Sequence, residues 1–210
     1  SQSRGLGDVY KRQNLHHNRL KNHEVVVLAN LDTLHPNEGK ALREFLEDGG
    51  GLLVFPGDRT RPDSWNDLPV TRENHGFLPV ALGDRIQARD DGRFHPDSPP
   101  YAHPALAYFN PLGSQALSSF AFETYLRLDP IPSELSSPST ILRLQNGDPL
   151  LVEAAVGTGR ILVSAVPADA DWGNWPTQPS FLPLVQRLVA HISRSSSSEL
   201  VVEIGARLHI

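Results

Sequence analysis

The segment from Glu24 to Asp58 constrains the fold more than any other part of the chain. It reads EVVVLAN, then LDTLHPNEGKALREFLED, then GGG, then LLVFPGD. Two continuous apolar runs, Val25 to Leu28 and Leu52 to Phe55, flank a region with helical periodicity, and such runs are typical of strands covered on both faces. The pattern predicts two parallel strands joined by a helix in a right-handed crossover.

The helix within this unit carries recognisable residues at both ends. His35 occupies the N-cap position, Pro36 the first helical position and Glu38 the position of a capping-box acid. Gly49 is predicted to end the helix in a left-handed conformation. The apolar residues at helical spacing are predicted to face the sheet, and they are Ala41, Leu42, Phe45 and Leu46.

The sequence of the second half of the chain predicts an antiparallel meander followed by a C-terminal helix. The Asn146-Gly147-Asp148 turn is the strongest indication, because Asn-Gly favours a tight hairpin. From Pro69 to Ser119 the chain is rich in Pro, Gly and Asp, which predicts long irregular connections around two apolar islands at Phe77–Leu82 and Arg85–Ala88. The remaining predicted elements are strands at Phe120–Leu128, Thr140–Leu144, Leu150–Ala155 and Arg160–Val166, a short helix at Pro62–Leu68 and a helix at Phe181–Ser193.

These elements predict a three-layer α/β fold with a mostly parallel, flavodoxin-like sheet and a C-terminal antiparallel meander. A chain of 210 residues without any Met is expected to be a fragment holding one main core. We expect residues 1–13 to be a non-native tail, 14–194 to form the α/β domain, 195–198 to be a Ser linker and 199–210 to begin a truncated β domain.

Composition excludes several functional classes. The chain has 24 acidic and 19 basic residues without a basic stripe, which argues against a nucleic-acid partner. It has no cysteine, so a disulfide, a thiolate metal ligand or a cysteine nucleophile is impossible. No apolar run reaches the roughly 20 residues that span a bilayer, so the expected membrane association is only through segments absent from this fragment.

The sequence lacks the common catalytic and cofactor-binding motifs. The chain has no G-x-S-x-G elbow and no phosphate-binding G-x-x-x-x-G-K-[ST] loop. The run Gly49–Gly51 follows a helix and precedes a strand, which reverses the order of a dinucleotide-binding motif. We therefore predict no catalytic residue and no cofactor.

The nine histidines suggest a metal site, but their spacing does not support one. His35, His95 and His103 each neighbour a Pro in a predicted loop, and no His-x-x-x-His or H-E-x-x-H helix is present. Asp169 and Asp171 could provide oxygen ligands to a hard cation, yet no third carboxylate lies nearby in the sequence. The sequence predicts no metal site.

The best candidate site follows from the geometry of a parallel sheet. Ligands bind outside the carboxyl ends of such strands. The residues expected to converge there as a ligand-binding site are Asn30, Asp32, Gly57, Asp58, Arg59, Asp169, Asp171 and Trp172. An ordinary structural role is the competing interpretation, with Asp58 and Arg59 forming a turn and an ion pair, and with Trp172 and Trp175 covering the edge of the sheet.

Two long segments resemble a known family. The first, VVVLANLDTLHPNEGKALREFLEDGGGLLVFPGD, is similar to the opening of a class I glutamine amidotransferase-like domain. The second, NGDPLLVEAAVGTGRILVSAVPADADWGNWPTQPSFLPLVQRLVAHI, is similar to its closing part. The resemblance covers Glu24 to Ser193 and is to a subgroup found in bacterial membrane proteins, which carry a BatA-like (aerotolerance-type) double-transmembrane N-terminus and often a von Willebrand factor A domain.

This chain departs from the active members of that family. They use a Cys-His-Glu triad, whereas this chain has no Cys, and Pro167-Ala168-Asp169 stands where His-x-Glu would follow the late strand. The resemblance therefore implies the fold and a non-catalytic binding or scaffold role for an unknown ligand or protein partner. It also implies a bacterial envelope location, with the domain on the periplasmic side of a membrane-anchored parent.

Two alternatives remain open at this stage. One is a hydrolase or sugar-processing enzyme that uses Asp58, Asp169 or His103 at the carboxyl edge of the sheet, which requires two such groups within about 5–10 Å. The other is an accessory domain of a gliding- or ABC-transporter-associated protein, because those proteins carry a similar strand-helix-strand unit.

Overall fold

The fold is described from a computed structural model, which covers residues 20, 22–68, 78–112, 115–131 and 137–193. The strands are β1 (Val25–Ala29), β2 (Gly51–Phe55), β3 (Val80–Gln87), β4 (Thr124–Pro130), β5 (Ser139–Arg143), β6 (Pro149–Val156) and β7 (Gly159–Ser164). The helices are α1 (Pro36–Glu47), α2 (Pro62–Asn66), α3 (Pro104–Ala107), α4 (Gln115–Ser118) and α5 (Phe181–Ile192), with short 3₁₀ turns at Asn110–Leu112 and Trp175–Thr177. The expected tail at 1–13, linker at 195–198 and β segment at 199–210 lie outside the described residues.

Five strands form one mixed sheet in the order β1-β2-β7-β6-β5. The β1–β2 and β2–β7 pairs are parallel, whereas the β6–β7 and β5–β6 pairs are antiparallel. The chain is thus an α/β protein, and both the parallel first unit and the antiparallel late meander are confirmed. The sheet as a whole is half parallel and half antiparallel.

Local sequence explains the first unit. The carboxylate of Glu38 accepts a hydrogen bond from the backbone N–H of His35 at 2.8 Å, which satisfies a donor at the start of α1. Gly49 ends the helix with φ of +92°, a conformation that costs glycine little. The four predicted inward residues of α1 are all buried, namely Ala41, Leu42, Phe45 and Leu46.

The region predicted to be irregular contains an eight-residue strand, so that prediction is wrong there. Strand β3 pairs antiparallel with β4 in a separate two-stranded sheet. The register shifts between Leu82 and Arg85, where Gly83 and Asp84 interrupt the alternation of apolar residues. This bulge divides one strand into the two apolar islands seen in the sequence.

The strand predicted at Phe120–Leu128 begins later than expected. Its ladder starts at Thr124, and Phe122 forms only isolated bridges to Phe94 and Gly173. Phe120 and Phe122 are nevertheless fully buried. They pack edge-on against Trp175, and this packing attaches the chain that precedes β4 to the core.

Helix α5 packs on the central strands. The helical spacing predicts five inward residues, of which Leu184, Leu188, Val189 and Ile192 are buried and Val185 is partly buried, and Phe181 is buried as well. None of the helices in the described parts of the chain has both the length and the apolar character that a bilayer crossing requires.

Candidate functional site

The loops that follow β1 and β2 are joined by Asn30. Its side-chain amide nitrogen donates a hydrogen bond to Oδ1 of Asp58 at 2.7 Å, and its amide oxygen accepts one from the backbone N–H of Arg59 at 3.0 Å. A Cβ on Gly57 would lie 2.3 Å from Oδ1 of Asn30. The close approach of the two loops therefore depends on the missing side chain at position 57.

Thr60 and Asp32 fix the same two loops from the inside. The hydroxyl oxygen of Thr60 accepts a hydrogen bond from the N–H of Gly57 at 2.9 Å, and the hydroxyl donates to the carbonyl of Leu31 at 3.1 Å. The carbonyl of Asp32 accepts a hydrogen bond from the N–H of Arg61, while its carboxylate accepts one from the N–H of Thr33. Asp32 therefore stabilises the turn after β1 through its backbone and side-chain hydrogen bonds.

Arg85 joins this region from the second sheet, and the sequence analysis did not identify it. Its Nη2 donates hydrogen bonds to the carbonyl oxygens of Gly57 at 3.2 Å and Asp58 at 2.5 Å. Its guanidinium carbon lies 4.9 Å from the centre of the Trp172 ring, which is a cation–π contact. No local pattern indicates this role, because β3 is distant from both loops along the chain.

The loop after β7 contributes Asp169, Asp171 and Trp172. The N–H of Asp171 donates to Oδ1 of Asp169 at 3.1 Å. Burial raises the pKa of the Asp169 carboxyl, and the negative charges of Asp171 and Asp58 raise it further. Because Arg85 contacts both Asp58 and Trp172, the loops after β2 and β7 lie near each other.

Most of the predicted ligand-binding residues therefore lie together. We call the following group the carboxyl edge: Asn30, Gly57, Asp58, Arg59, Arg85, Asp169, Asp171 and Trp172. Asp32 lies in the adjoining turn. Trp172 and Trp175 are both buried, with exposures of 6% and 1%, and Trp175 packs against Phe55 at the end of β2. That the carboxyl edge binds a ligand stays a prediction.

The carboxyl edge offers mixed chemistry to a partner. Asp58, Arg59 and Asp171 are exposed, so carboxylates and a guanidinium are available to solvent. The backbone around them is held by the hydrogen bonds of Asn30 and Arg85. Binding to this surface would order few additional groups, which lowers the entropic cost of recognition.

A second group of polar side chains surrounds Glu153, which lies in the middle of β6 with 7% of its side chain exposed. Its Oε2 accepts a hydrogen bond from Nε2 of His103 at 2.7 Å. Its Oε1 accepts hydrogen bonds from Nε2 of His191 and from Nη1 of Arg160, each at 2.9 Å. We call these four residues the His–Glu cluster.

The fold explains this convergence. Glu153 and Arg160 lie on neighbouring antiparallel strands, where Arg160 is opposite Ala155. His103 precedes α3 and His191 lies in the last turn of α5. Their rings meet edge-on with centroids 4.6 Å apart. Nδ1 of His103 is buried and has no hydrogen-bond partner among the described residues.

Charge and burial act in opposite directions on these groups. Burial would raise the pKa of Glu153, but the hydrogen bonds from His191, Arg160 and His103 outweigh it and lower that pKa to about 2. Burial lowers the pKa of His103, and the hydrogen bond to Glu153 offsets this only in part. Glu153 is therefore a carboxylate at neutral pH.

The His–Glu cluster lies alongside the first and middle residues of β7, where Glu153 is opposite Leu162, whereas the carboxyl edge lies beyond the end of that strand. Arg160 is the second residue of that strand, whereas Asp169 follows its last residue, Ser164. His103 is thus not at the carboxyl edge, and the expectation that it would act there with Asp58 or Asp169 is not met. The sequence did contain one indication of the cluster, since a Glu inside the apolar run LLVEAAV must find partners when buried.

Comparisons with known proteins identify the fold only. No protein-family profile and no curated protein sequence matches the chain. Cytoplasmic protein STM3548 from Salmonella typhimurium is similar in structure, with a TM-score of 0.62 and 19% identity over 85% of this chain and 75% of that one. Cytoplasmic protein STM1381 from Salmonella typhimurium LT2 gives a TM-score of 0.61 and 17% identity over 86% and 76%.

Other proteins of similar structure are of different kinds. The N-terminal domain of mmIFT52 matches with a TM-score of 0.55 and 12% identity over 89% of this chain and 84% of that one. A β-galactosidase from the Antarctic haloarchaeon Halorubrum lacusprofundi matches with a TM-score of 0.51 and 15% identity, and this chain spans only 23% of that enzyme. Such low identities carry no function from one protein to another.

Proposed function

We propose that this chain is a non-catalytic binding or scaffold domain of a membrane-anchored bacterial envelope protein, with the three-layer architecture of class I glutamine amidotransferase-like domains. In this proposal the carboxyl edge is the surface that recognises a ligand or a protein partner. The domain lies on the periplasmic side of the membrane and is anchored through other parts of its parent protein.

Packing around β2 supports the three-layer architecture. A Cβ on Gly50 would lie 2.3 Å from the ring of Phe45 in α1, whereas a Cβ on the next residue, Gly51, would lie 2.5 Å from the carbonyl oxygen of Ile192 in α5. Successive residues of an extended chain point to opposite faces. Helices α1 and α5 are therefore suited to cover opposite faces of the sheet.

The observation that carries the binding role is the arrangement of the carboxyl edge. Three loops and the second sheet meet there, and Asn30 and Arg85 hold them by side-chain hydrogen bonds. Recognition residues are commonly placed on loops that a rigid scaffold positions. Because the chain has no cysteine, the thiolate chemistry of the active amidotransferases is not available to this edge.

One observation favours an enzymatic alternative. The pKa of Asp169 is raised by burial and by the neighbouring charges of Asp171 and Asp58, which would suit a general acid beside a carboxylate base. In that case the full chain would hydrolyse an ester or a p-nitrophenyl glycoside, and Asp169→Asn would abolish the turnover. The proposed binding role predicts no turnover of these substrates or of L-glutamine by the wild-type chain.

The binding role itself is tested by soaking crystals of the full chain with a library of small amines, amides and sugars. We expect bound fragments between Asp58 and Trp172. The location in the envelope and the alternative of a transporter-accessory domain are tested by the complete reading frame. A von Willebrand factor A domain upstream supports the proposal, and a transporter subunit encoded next to it supports the alternative.

A further inference from the structure

Three atoms of the His–Glu cluster have the chemistry of metal ligands. They are Nε2 of His103, Nε2 of His191 and a carboxylate oxygen of Glu153, and all lie within 4.8 Å of one another. The exposed fractions of these side chains are 15%, 18% and 7%, so the site is largely shielded from bulk water. It lies between β6, the residue that precedes α3 and the last turn of α5.

We propose that the His–Glu cluster is a binding site for one divalent transition-metal ion, and that Zn²⁺ suits it best. Two imidazole nitrogens with one carboxylate oxygen form a donor set that Zn²⁺ uses in proteins, with the fourth position left to water or another ligand. Imidazole favours such ions over Mg²⁺ and Ca²⁺, which prefer oxygen ligands.

The spacing of the three ligand atoms is close to that of a bound ion, but the side chains must rotate to hold one. Bonds of about 2.0–2.1 Å in a tetrahedral arrangement place ligand atoms roughly 3.3–3.4 Å apart. The present nitrogen–oxygen distances are 2.7 Å for His103 and 2.9 Å for His191. These two distances end on different oxygens of Glu153, Oε2 and Oε1, and the three ligand atoms lie within 4.8 Å of one another. Side-chain rotation must therefore bring the two nitrogens and one oxygen to the tetrahedral spacing.

Arg160 competes with the ion for the same carboxylate. Its Nη1 lies 2.9 Å from Oε1 of Glu153, and the positive charge of a metal would repel it. Half of its side chain is exposed, so it can turn into solvent without burying an unpaired charge. Ala155, which lies opposite Arg160 on β6, is exposed as well. An ion would therefore reach the cluster from the side of these two residues.

Metal binding would change the role of the unpartnered Nδ1 of His103. When Nε2 donates to Glu153, Nδ1 is a bare acceptor, and when Nε2 binds a metal, the ring proton moves to Nδ1. In the structure this nitrogen lacks a partner among the described residues. A buried polar atom without a partner costs stability, and natural structures hold few of them.

For the test, the full chain is first freed of metal with a chelator and dialysed. It is then titrated with Zn²⁺ in a calorimeter and, separately, with Co²⁺ while visible absorption is recorded. We expect one ion per chain and a Co²⁺ spectrum of four-coordinate type. His191→Gln and Glu153→Gln should each weaken binding at least about 100-fold, since each removes a ligand. Arg160→Gln should strengthen binding severalfold, because it removes the competing cation.

Matched controls separate this site from accidental metal binding. His35→Gln removes an exposed histidine from the start of α1 and should leave the affinity unchanged. His16→Ala combined with His17→Ala removes two adjacent histidines and should also leave it unchanged. Circular dichroism confirms that each variant is folded.

The proposal is overturned if the folded wild-type chain binds no Zn²⁺, if His191→Gln binds as tightly as the wild type, or if the His16 and His17 variant loses the binding. Arg160→Gln that weakens binding would also contradict it, since Arg160 would then support the ion instead of competing with it. None of these results bears on the carboxyl edge, which shares no residue with the His–Glu cluster.

Discussion

The guanidinium of Arg85 lies 4.9 Å from the centre of the Trp172 ring, so strand β3 of the small sheet contacts the loop that follows β7 in the main sheet. The same guanidinium donates hydrogen bonds to the carbonyl oxygens of Gly57 and Asp58. One side chain therefore links β3, the loop after β2 and the loop after β7. The carboxyl edge depends on this link for its shape.

Replacing Arg85 with Ala should destabilise the domain by about 1–2 kcal/mol, because it removes the cation–π contact and two charge-assisted hydrogen bonds. Arg85→Lys should be intermediate, since an ammonium keeps the charge but lacks the planar group that stacks on Trp172. Urea unfolding of each variant measures the change.

The matched control is Arg127→Ala on the neighbouring strand β4. Arg127 pairs with Asp129 at 3.2 Å, but both side chains are about half exposed, so the loss should be below about 0.5–1 kcal/mol. Equal losses for Arg85→Ala and Arg127→Ala would show that Arg85 does not hold the edge together.

Gly57→Ala should destabilise the domain by about 1–3 kcal/mol, because the new Cβ would collide with the side chain of Asn30. Asn30→Gly removes the obstacle and suits the backbone, since residue 30 has φ of +52°. In the double variant the added cost of Gly57→Ala should fall to near zero. A double-mutant cycle from chemical unfolding measures this coupling, and strictly additive losses would contradict the collision.

Glu153→Ala should cost about 3 kcal/mol or more, because it leaves the buried donors of His103 and His191 and the charge of Arg160 without their acceptor. Glu123→Ala is the control for a surface ion pair. Glu123 contacts Arg93 at 3.0 Å with 60% of its side chain exposed, so its loss should be below about 1 kcal/mol. If the two variants had comparable unfolding free energies without added metal, Glu153 would not stabilise the fold more than a surface ion pair does.

Tyr125 should make the domain sensitive to alkaline pH. Its hydroxyl donates a hydrogen bond to the Asp148 carboxylate and accepts one from Asn146. Burial, followed by the interaction with Asp148, raises the pKa of Tyr125 from 10.0 to about 12. A raised pKa stabilises the fold below the unfolded-state value, and this stabilisation is lost as pH rises from 10 towards 12.

Tyr125→Phe should therefore be less stable than the wild type at neutral pH, by about 1–2 kcal/mol, and the difference should shrink above pH 10. Urea unfolding across this pH range measures it. Tyr108→Phe changes a tyrosine that is 46% exposed and should track the wild type throughout. A stability gap for Tyr125→Phe that stays constant up to pH 12 would be inconsistent with the assigned pKa.

Local sequence was sufficient to predict the unit from Val25 to Phe55. The helix cap, the glycine after α1 and the apolar strands all act over a few residues, and their effects agree. The hairpin at Asn146-Gly147 was predictable for the same reason, since Gly147 has φ of +92° in the turn. The carboxyl edge followed from the topology, because parallel strands end on the same side of a sheet.

Contacts between distant segments were not predictable from one sequence. Arg85 reaches its partners across 27 and 28 residues, and the members of the His–Glu cluster are joined across 50 and 38 residues. No spacing rule relates such positions. Strand β3 was missed because its bulge at Gly83 breaks the alternation on which strand prediction depends.

Crystallographic fragment screening of the full chain tests the recognition role of the carboxyl edge most directly. Two variants accompany the wild type, Trp172→Ala at the edge and Leu182→Ala, an exposed position in the first turn of α5 that is not among the residues of the carboxyl edge. We predict that bound fragments gather among Asp58, Arg85 and Trp172 in the wild type and in Leu182→Ala, and that Trp172→Ala loses them. Fragments that leave this edge empty and occupy another surface would contradict the account.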